Sequence, residues 1–271
     1  MESDISGALR SGLAALAFCG LAAPALAGDS LKDAAEEPKR ELQLSGSFSA
    51  TTDYVFRGFS QSASRPAVQA GVEATYKWLY AGIYASTVDF GDVGAKDVAH
   101  AEVDFYAGIK PVVGPVTFDI GVIYYTYPNA FDPGAELDFV ELKVGASGEV
   151  WKGGTLGVMV YYSPEFTGKT GETITVEGSF ALAFAAIRGV TPTWSSTLGY
   201  ISGDDAAFAA VFGNGDDNYL YWNSGLTLGF GDNFSLDFRY WDTNVSDTGG
   251  FCSHRLFACD ERFVATAKVT Y

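Results

Sequence analysis

Residues 263–271 alternate without a break. Phe263, Ala265, Ala267, Val269 and Tyr271 form one apolar face, and Val264, Thr266, Lys268 and Thr270 form a mostly polar one. A period of two is the mark of a β-strand with differently solvated faces. A strand at the end of a sheet leaves a row of unpaired backbone groups, and closing the sheet on itself removes that edge. The expectation is a barrel in which this strand pairs antiparallel with residues 42–54.

The same alternation recurs along the chain. Leu42, Leu44, Phe48, Ala50, Tyr54 and Phe56 share a face opposite Gln43, Ser45, Ser47, Ser49, Thr51 and Asp53. Val68, Ala70, Val72, Ala74 and Tyr76 then oppose Gln69, Glu73, Thr75 and Lys77, and a third strand runs over residues 79–90. Further strands are expected near 103–109, 116–124, 140–146, 156–162, 174–184, 194–200, 220–230 and 234–240, which with 263–271 makes about twelve. Short links follow the even-numbered strands and longer ones the odd-numbered strands. This predicts an all-β, transmembrane, antiparallel up-and-down barrel with short periplasmic turns and longer external loops. Strands of about 10 residues, tilted by ~45°, span roughly 23 Å, close to the apolar band of such barrels.

Composition agrees with that reading. The 20 Phe, 15 Tyr and 32 Gly against 9 Pro suit many strands joined by glycine turns. Mean hydropathy is +0.09, as expected when lipid-facing and lumen-facing residues alternate and cancel. The formal charge of −16 argues against nucleic acid as a partner. Residues 1–27 read as a cleaved signal peptide with an A-x-A site at Ala25-Leu26-Ala27, which would carry Cys19 away. Residues 28–40 read as a flexible periplasmic lead-in and 41–271 as the barrel. Beyond the signal, no apolar run approaches the roughly 20 residues of a spanning helix.

Alternation assigns a set of charged residues to the lumen: Asp53, Glu73, Lys77, Glu102, Asp104, Asp119, Glu141, Lys143, Glu177, Asp237, Arg239 and Lys268, with Arg57 joining them at the outer end of the first strand. Facing lipid, an Arg or Lys near the midplane costs about 2–4 kcal/mol, so these side chains are expected inside. There they line a water-filled pore with a weak cation preference, the favoured reading, or pair across strands and plug it. Arg57 reads as a structural partner of Asp53 or Glu73 in preference to a rim contact for anionic solutes or lipopolysaccharide phosphate. Tyr54, Phe56, Tyr76, Tyr124, Tyr162, Tyr200, Phe230, Phe234 and Tyr271 stand near strand ends, as aromatic girdles do.

Cys252 and Cys259 are expected to form a disulfide, the default for an exported chain, in preference to a metal site with His254. Asp204, Asp205, Asp216 and Asp217 flank an apolar stretch, 206–212; a solvated loop is favoured over a divalent-cation site with that stretch folded into the barrel mouth. No cofactor is expected. An enzyme is disfavoured because neither His100 nor His254 stands in a motif that places a serine beside it. A non-conducting adhesin or structural barrel is the competing class.

Thr52-Asp53-Tyr54-Val55-Phe56-Arg57-Gly58-Phe59-Ser60-Gln61-Ser62 resembles the opening motif of the TorF-type porins. The similarity continues through Pro66-Ala67-Val68-Gln69, Tyr80-Ala81-Gly82-Ile83-Tyr84-Ala85-Ser86, Glu102-Val103-Asp104-Phe105-Tyr106-Ala107-Gly108 and Gly121-Val122-Ile123-Tyr124-Tyr125-Thr126-Tyr127-Pro128. The resemblance implies an outer-membrane barrel that forms a pore. The expected surroundings are outer-membrane lipid and lipopolysaccharide, and the expected cargo small hydrophilic solutes. Phe263, Val269 and Tyr271 resemble the aromatic-terminated signal by which such barrels reach the barrel assembly machinery.

Overall fold

The computed structural model describes residues 42–132, 135–204, 206–212, 215–245, 252 and 255–271. The expected signal peptide and lead-in, and also Asp205 and His254, lie outside the described residues. Twelve long strands carry the fold: β1 (Gln43–Thr51), β2 (Ala67–Tyr76), β3 (Leu79–Thr87), β4 (Ala101–Ile109), β5 (Val116–Thr126) and β6 (Phe139–Trp151), then β7 (Gly154–Ser163), β8 (Thr173–Ala183), β9 (Val190–Gly203), β10 (Asn218–Phe230), β11 (Phe234–Thr243) and β12 (Arg262–Thr270). Each pairs antiparallel with its sequence neighbours, and β12 returns to β1 with Thr270 opposite Ser47 and Thr266 opposite Thr51. The barrel is closed. Its inter-strand ladder leaves no sheet edge for a surrounding apolar medium that has no water to offer.

The period-2 code sorts the side chains. Phe105 and Ile109 on β4 are exposed, while Glu102 and Asp104 on the same strand are buried. Val72, Ile83, Val122, Leu142, Val144, Val158, Leu198 and Phe238 continue the exposed apolar belt around the barrel. Phe263 and Tyr271 also face outward, 80% and 78% exposed. This is the reverse of a soluble barrel, whose apolar face fills the core. The short links gather at one end, the turn end, and the long loops at the other, the loop end.

Two expectations fail at strand boundaries, both because a loop folds inward. β1 stops at Thr51, and Tyr54, placed by alternation on the outer face and in the girdle, is buried inside. Beyond it, Val55–Phe56 and Phe59–Ser60 form a tight hairpin turned through Arg57 (φ 48°) and Gly58 (φ 90°). Phe56, also placed on the outer face, packs edge-on against the inward Tyr125, centroids 5.8 Å apart. The third strand ends at Thr87, short of the expected residue 90, and Val88 and Phe90 turn into the interior.

A cationic side chain on the lipid face has no partner there. We expect Val144→Arg to lower barrel stability by about 2–4 kcal/mol, read by urea unfolding in lipid vesicles. A loss below about 0.5 kcal/mol would place that face away from hydrocarbon.

Candidate functional site: the barrel lumen

The inward hairpin organises the lumen's loop end. Its base is tied to Asp53: Ser60 Oγ and Ser62 Oγ donate to Asp53 Oδ1 at 2.7 and 2.9 Å, and Arg262 Nη1 of β12 donates to Oδ2 at 3.1 Å. The Gln61 amide donates to the Tyr54 carbonyl at 2.6 Å, and the Ser60 amide to the Ala258 carbonyl at 2.9 Å. A Cys252–Cys259 disulfide, Cα atoms 5.0 Å apart, holds the loop that supplies Ala258.

From the hairpin tip Arg57 crosses to β6. Its guanidinium grips Glu141 with two parallel bonds, Nη1 to Oε1 at 2.7 Å and Nη2 to Oε2 at 2.9 Å. The Tyr125 hydroxyl adds a third bond to Glu141 Oε2 at 3.1 Å, and the Tyr219 hydroxyl donates to the Arg57 carbonyl at 3.2 Å. The guanidinium also lies 4.8 and 4.9 Å from the ring centroids of Phe56 and Tyr161. Burial works against the Arg57 charge, and Glu141 more than restores it. Neither Asp53 nor Glu73, the partners expected from sequence, takes this role. Pairing within one alternating strand face is local, whereas a loop tip reaches the far wall.

Around this pair the loop end is filled with aromatic side chains. Phe59 meets Phe212 and Tyr219 edge-on, with centroids 5.7 and 5.4 Å apart, and Phe166 meets Phe139 and Phe212. The apolar stretch after Asp204 is a short helix, α1 (Ala206–Val211), whose Phe208 is fully buried. That corrects the solvated-loop expectation for this stretch, because seven apolar residues in succession, 206–212, are better covered by the mouth than by water. Asp204 accepts the Glu172 amide and Asp217 accepts from Asn218 Nδ2, and among the described residues no three acidic, His or Cys side chains gather as around a metal ion.

Most residues assigned to the lumen by alternation do point inward; Lys77 does not, because β2 ends at Tyr76 and Lys77 stands exposed in the turn at φ 55°. They meet in separate clusters. Lys143 Nζ donates to Asp119 Oδ2 at 2.9 Å, and the Tyr80 hydroxyl donates to Oδ1 at 2.7 Å. Arg239 spans three strands, bonding Asp237, Asn223 Oδ1 at 2.7 Å and Ser195 Oγ at 2.9 Å. Glu177 accepts the Tyr221 hydroxyl at 2.5 Å. Glu102 accepts the hydroxyls of Tyr54, at 2.6 Å, and Tyr127. Burial, with the nearby Glu102 charge, pushes both phenols up, so they remain donors. Glu73 Oε2 and both oxygens of Asp104 are buried without a hydrogen-bond partner among the described residues. Lys268 lies on the inner face of β12, half-buried. Alternation places Tyr106, Tyr125, Tyr219 and Tyr221 on the inner face, and what sequence reasoning missed is that Tyr80, Tyr125 and Tyr221 cap carboxylates there. For Tyr80, parity with the inward Ser86 was the available signal.

Breaking the buried ion pair strands a charge. Arg57→Ala is expected to cost about 3–5 kcal/mol, and Arg57→Ala with Glu141→Gln distinctly less, measured by denaturant unfolding. Additive losses would show that the two groups act independently. Gly58→Ala is also expected to destabilise, since a Cβ there meets Thr243 Cγ2 in a left-handed backbone conformation.

No curated protein matches the chain. Among solved structures, the NanC porin aligns at 11% identity with a TM-score of 0.50, covering 84% of this chain and 99% of that one. The KdgM porin aligns at 10% identity and a TM-score of 0.49, covering 84% and 98%. LpxR from Salmonella typhimurium aligns at 11% and 0.46, covering 84% and 99%. At such identities the likeness is one of fold, and of these three only NanC reaches a score that carries it. The barrel is porin-like. The family described as "Bacterial protein of unknown function (Gcw_chp)" matches residues 35–271, and the chain belongs to that family.

Proposed function

We propose that this protein is an outer-membrane channel for passive diffusion of small hydrophilic solutes, weakly preferring cations, and that its hairpin at residues 54–62 controls passage. The observation that carries the reading is a closed barrel that is apolar outside and charged inside. A conduit needs polar walls, and the inner face supplies carboxylates, lysines and arginines. The acidic residues on the inner face outnumber the basic ones, which favours cations. The resemblance of residues 52–62 to TorF-type porins supports the same function, and the apolar leader at residues 11–26 supports export to the outer membrane. Contacts with lipopolysaccharide and the barrel assembly machinery, the latter through Phe263, Val269 and Tyr271, belong to this proposal.

One observation favours a second reading, a non-conducting structural or adhesin-type barrel. Arg57, Glu102, Asp104 and Glu141 are each at most 4% exposed, so the lumen at their level is packed. The channel reading accommodates this as a closed state latched by Arg57 and Glu141.

Planar-bilayer recording separates the two. The wild-type barrel is expected to show rare, brief openings, and Glu141→Gln, which weakens the latch, to raise open probability at least tenfold. A folded Glu141→Gln barrel that stays silent at all voltages would eliminate the channel and leave the structural reading.

A further inference from the structure

Asp104 stands apart from the other lumen carboxylates. It is 0% exposed, and neither of its oxygens has a hydrogen-bond partner among the described residues. An unpaired buried carboxylate costs several kcal/mol, so Asp104 is neutralised either by a proton or by a counterion in that space. The surroundings are rich in oxygen. Directly across the sheet Asp104 faces Tyr84 on β3 and Tyr125 on β5, and Glu102 lies two residues along the same inner face. Tyr54, from the hairpin, reaches into the same space through its bond to Glu102.

Charge accounting leads to the ligand. Arg57 is committed to Glu141 by both its terminal nitrogens, and Arg262 to Asp53 and Asp260. Lys143 is held by Asp119 and Arg239 by Asp237, and Lys268 stands near the turn end of β12, opposite Ser235, whereas Asp104 lies in the loop-end half of β4. The charges that act on Asp104 are those of Glu102 and Glu141, both of its own sign. Among the described residues no group of three acidic, His or Cys side chains gathers there, as in an all-protein calcium cage of six to eight oxygen ligands. A hard monovalent cation matches two carboxylates with neutral phenol oxygens around them.

We propose that Asp104, with Glu102, forms a binding site for a small monovalent inorganic cation, with sodium as the physiological class. The site lies behind the hairpin, so occupancy favours the closed lumen. It rests on the channel reading only for the route by which the ion arrives.

The test is thermal unfolding of the detergent-folded barrel in sodium chloride against choline chloride at equal ionic strength and pH 8, choline being too large for the site. The wild type is expected to melt about 2–5 °C higher in sodium. Asp104→Asn should lose that increment and melt above the wild type in choline. Glu102→Gln, a second variant should the first not fold, should reduce the increment at least by half. Equal melting of the wild type in the two salts, or an increment that Asp104→Asn retains, would overturn the site. So would stability that rises between pH 8 and pH 5 alike in both salts, because the counterion would then be a proton. A sodium increment in a barrel silent in bilayers would refute the channel and leave the site standing.

Discussion

Every backbone N–H and C=O of a strand in hydrocarbon must find a partner in the protein, because lipid offers none. That constraint underlies the rest of this structure. It requires the sheet to close, and closure by twelve strands returns β12 to β1 through the pairs between Ser47–Thr51 and Thr266–Thr270. It also fixes the register, since a slip of one residue would exchange the lumen carboxylates with the apolar belt. Phe105 against Asp104, or Leu142 against Glu141, shows the penalty for such a slip: each such pair stands on one strand with its side chains on opposite faces.

Closure creates an interior that the strands alone do not fill. Here the loop-end half is occupied by three inserted elements: the hairpin after Thr52, the helix α1, and the disulfide-braced loop that accepts the Ser60 amide. The Arg57–Glu141 pair fastens the first of these to the wall with charge-assisted, bidentate geometry, the strongest kind of side-chain hydrogen bond. Desolvation raises what is lost if either partner is removed, and under the channel proposal the pair is the latch of the closed state. The turn-end half is organised by different clusters, around Lys143–Asp119 and Arg239–Asp237.

Much of this was legible in the sequence, for a physical reason. The two-residue period is a local property, so strand number, the face of each residue and the barrel's inverted polarity can be read without a structure. Glu102, Asp119, Glu141 and Arg239 point inward as their parity requires. What parity cannot reach is the partner chosen across the lumen. Arg57 and Glu141 are 84 residues apart and meet only because a loop bends inward at a left-handed arginine and Gly58. The fate of residues 206–212 was open for the same reason: an apolar loop stretch states that it needs cover and leaves its location unspecified. Tyr54 was misplaced because alternation was continued past Thr51, where the ladder stops.

The central claim is that the hairpin at residues 54–62 is a structured part of the lumen. Amide hydrogen exchange in outer-membrane vesicles tests it most directly. The amides of Tyr54, Ser60 and Gln61, bonded to the Ser62 hydroxyl and to the carbonyls of Ala258 and Tyr54, are expected to exchange as slowly as the strand amides of β1 and β12. Exchange of these amides at the rate of an unprotected surface loop would contradict the account.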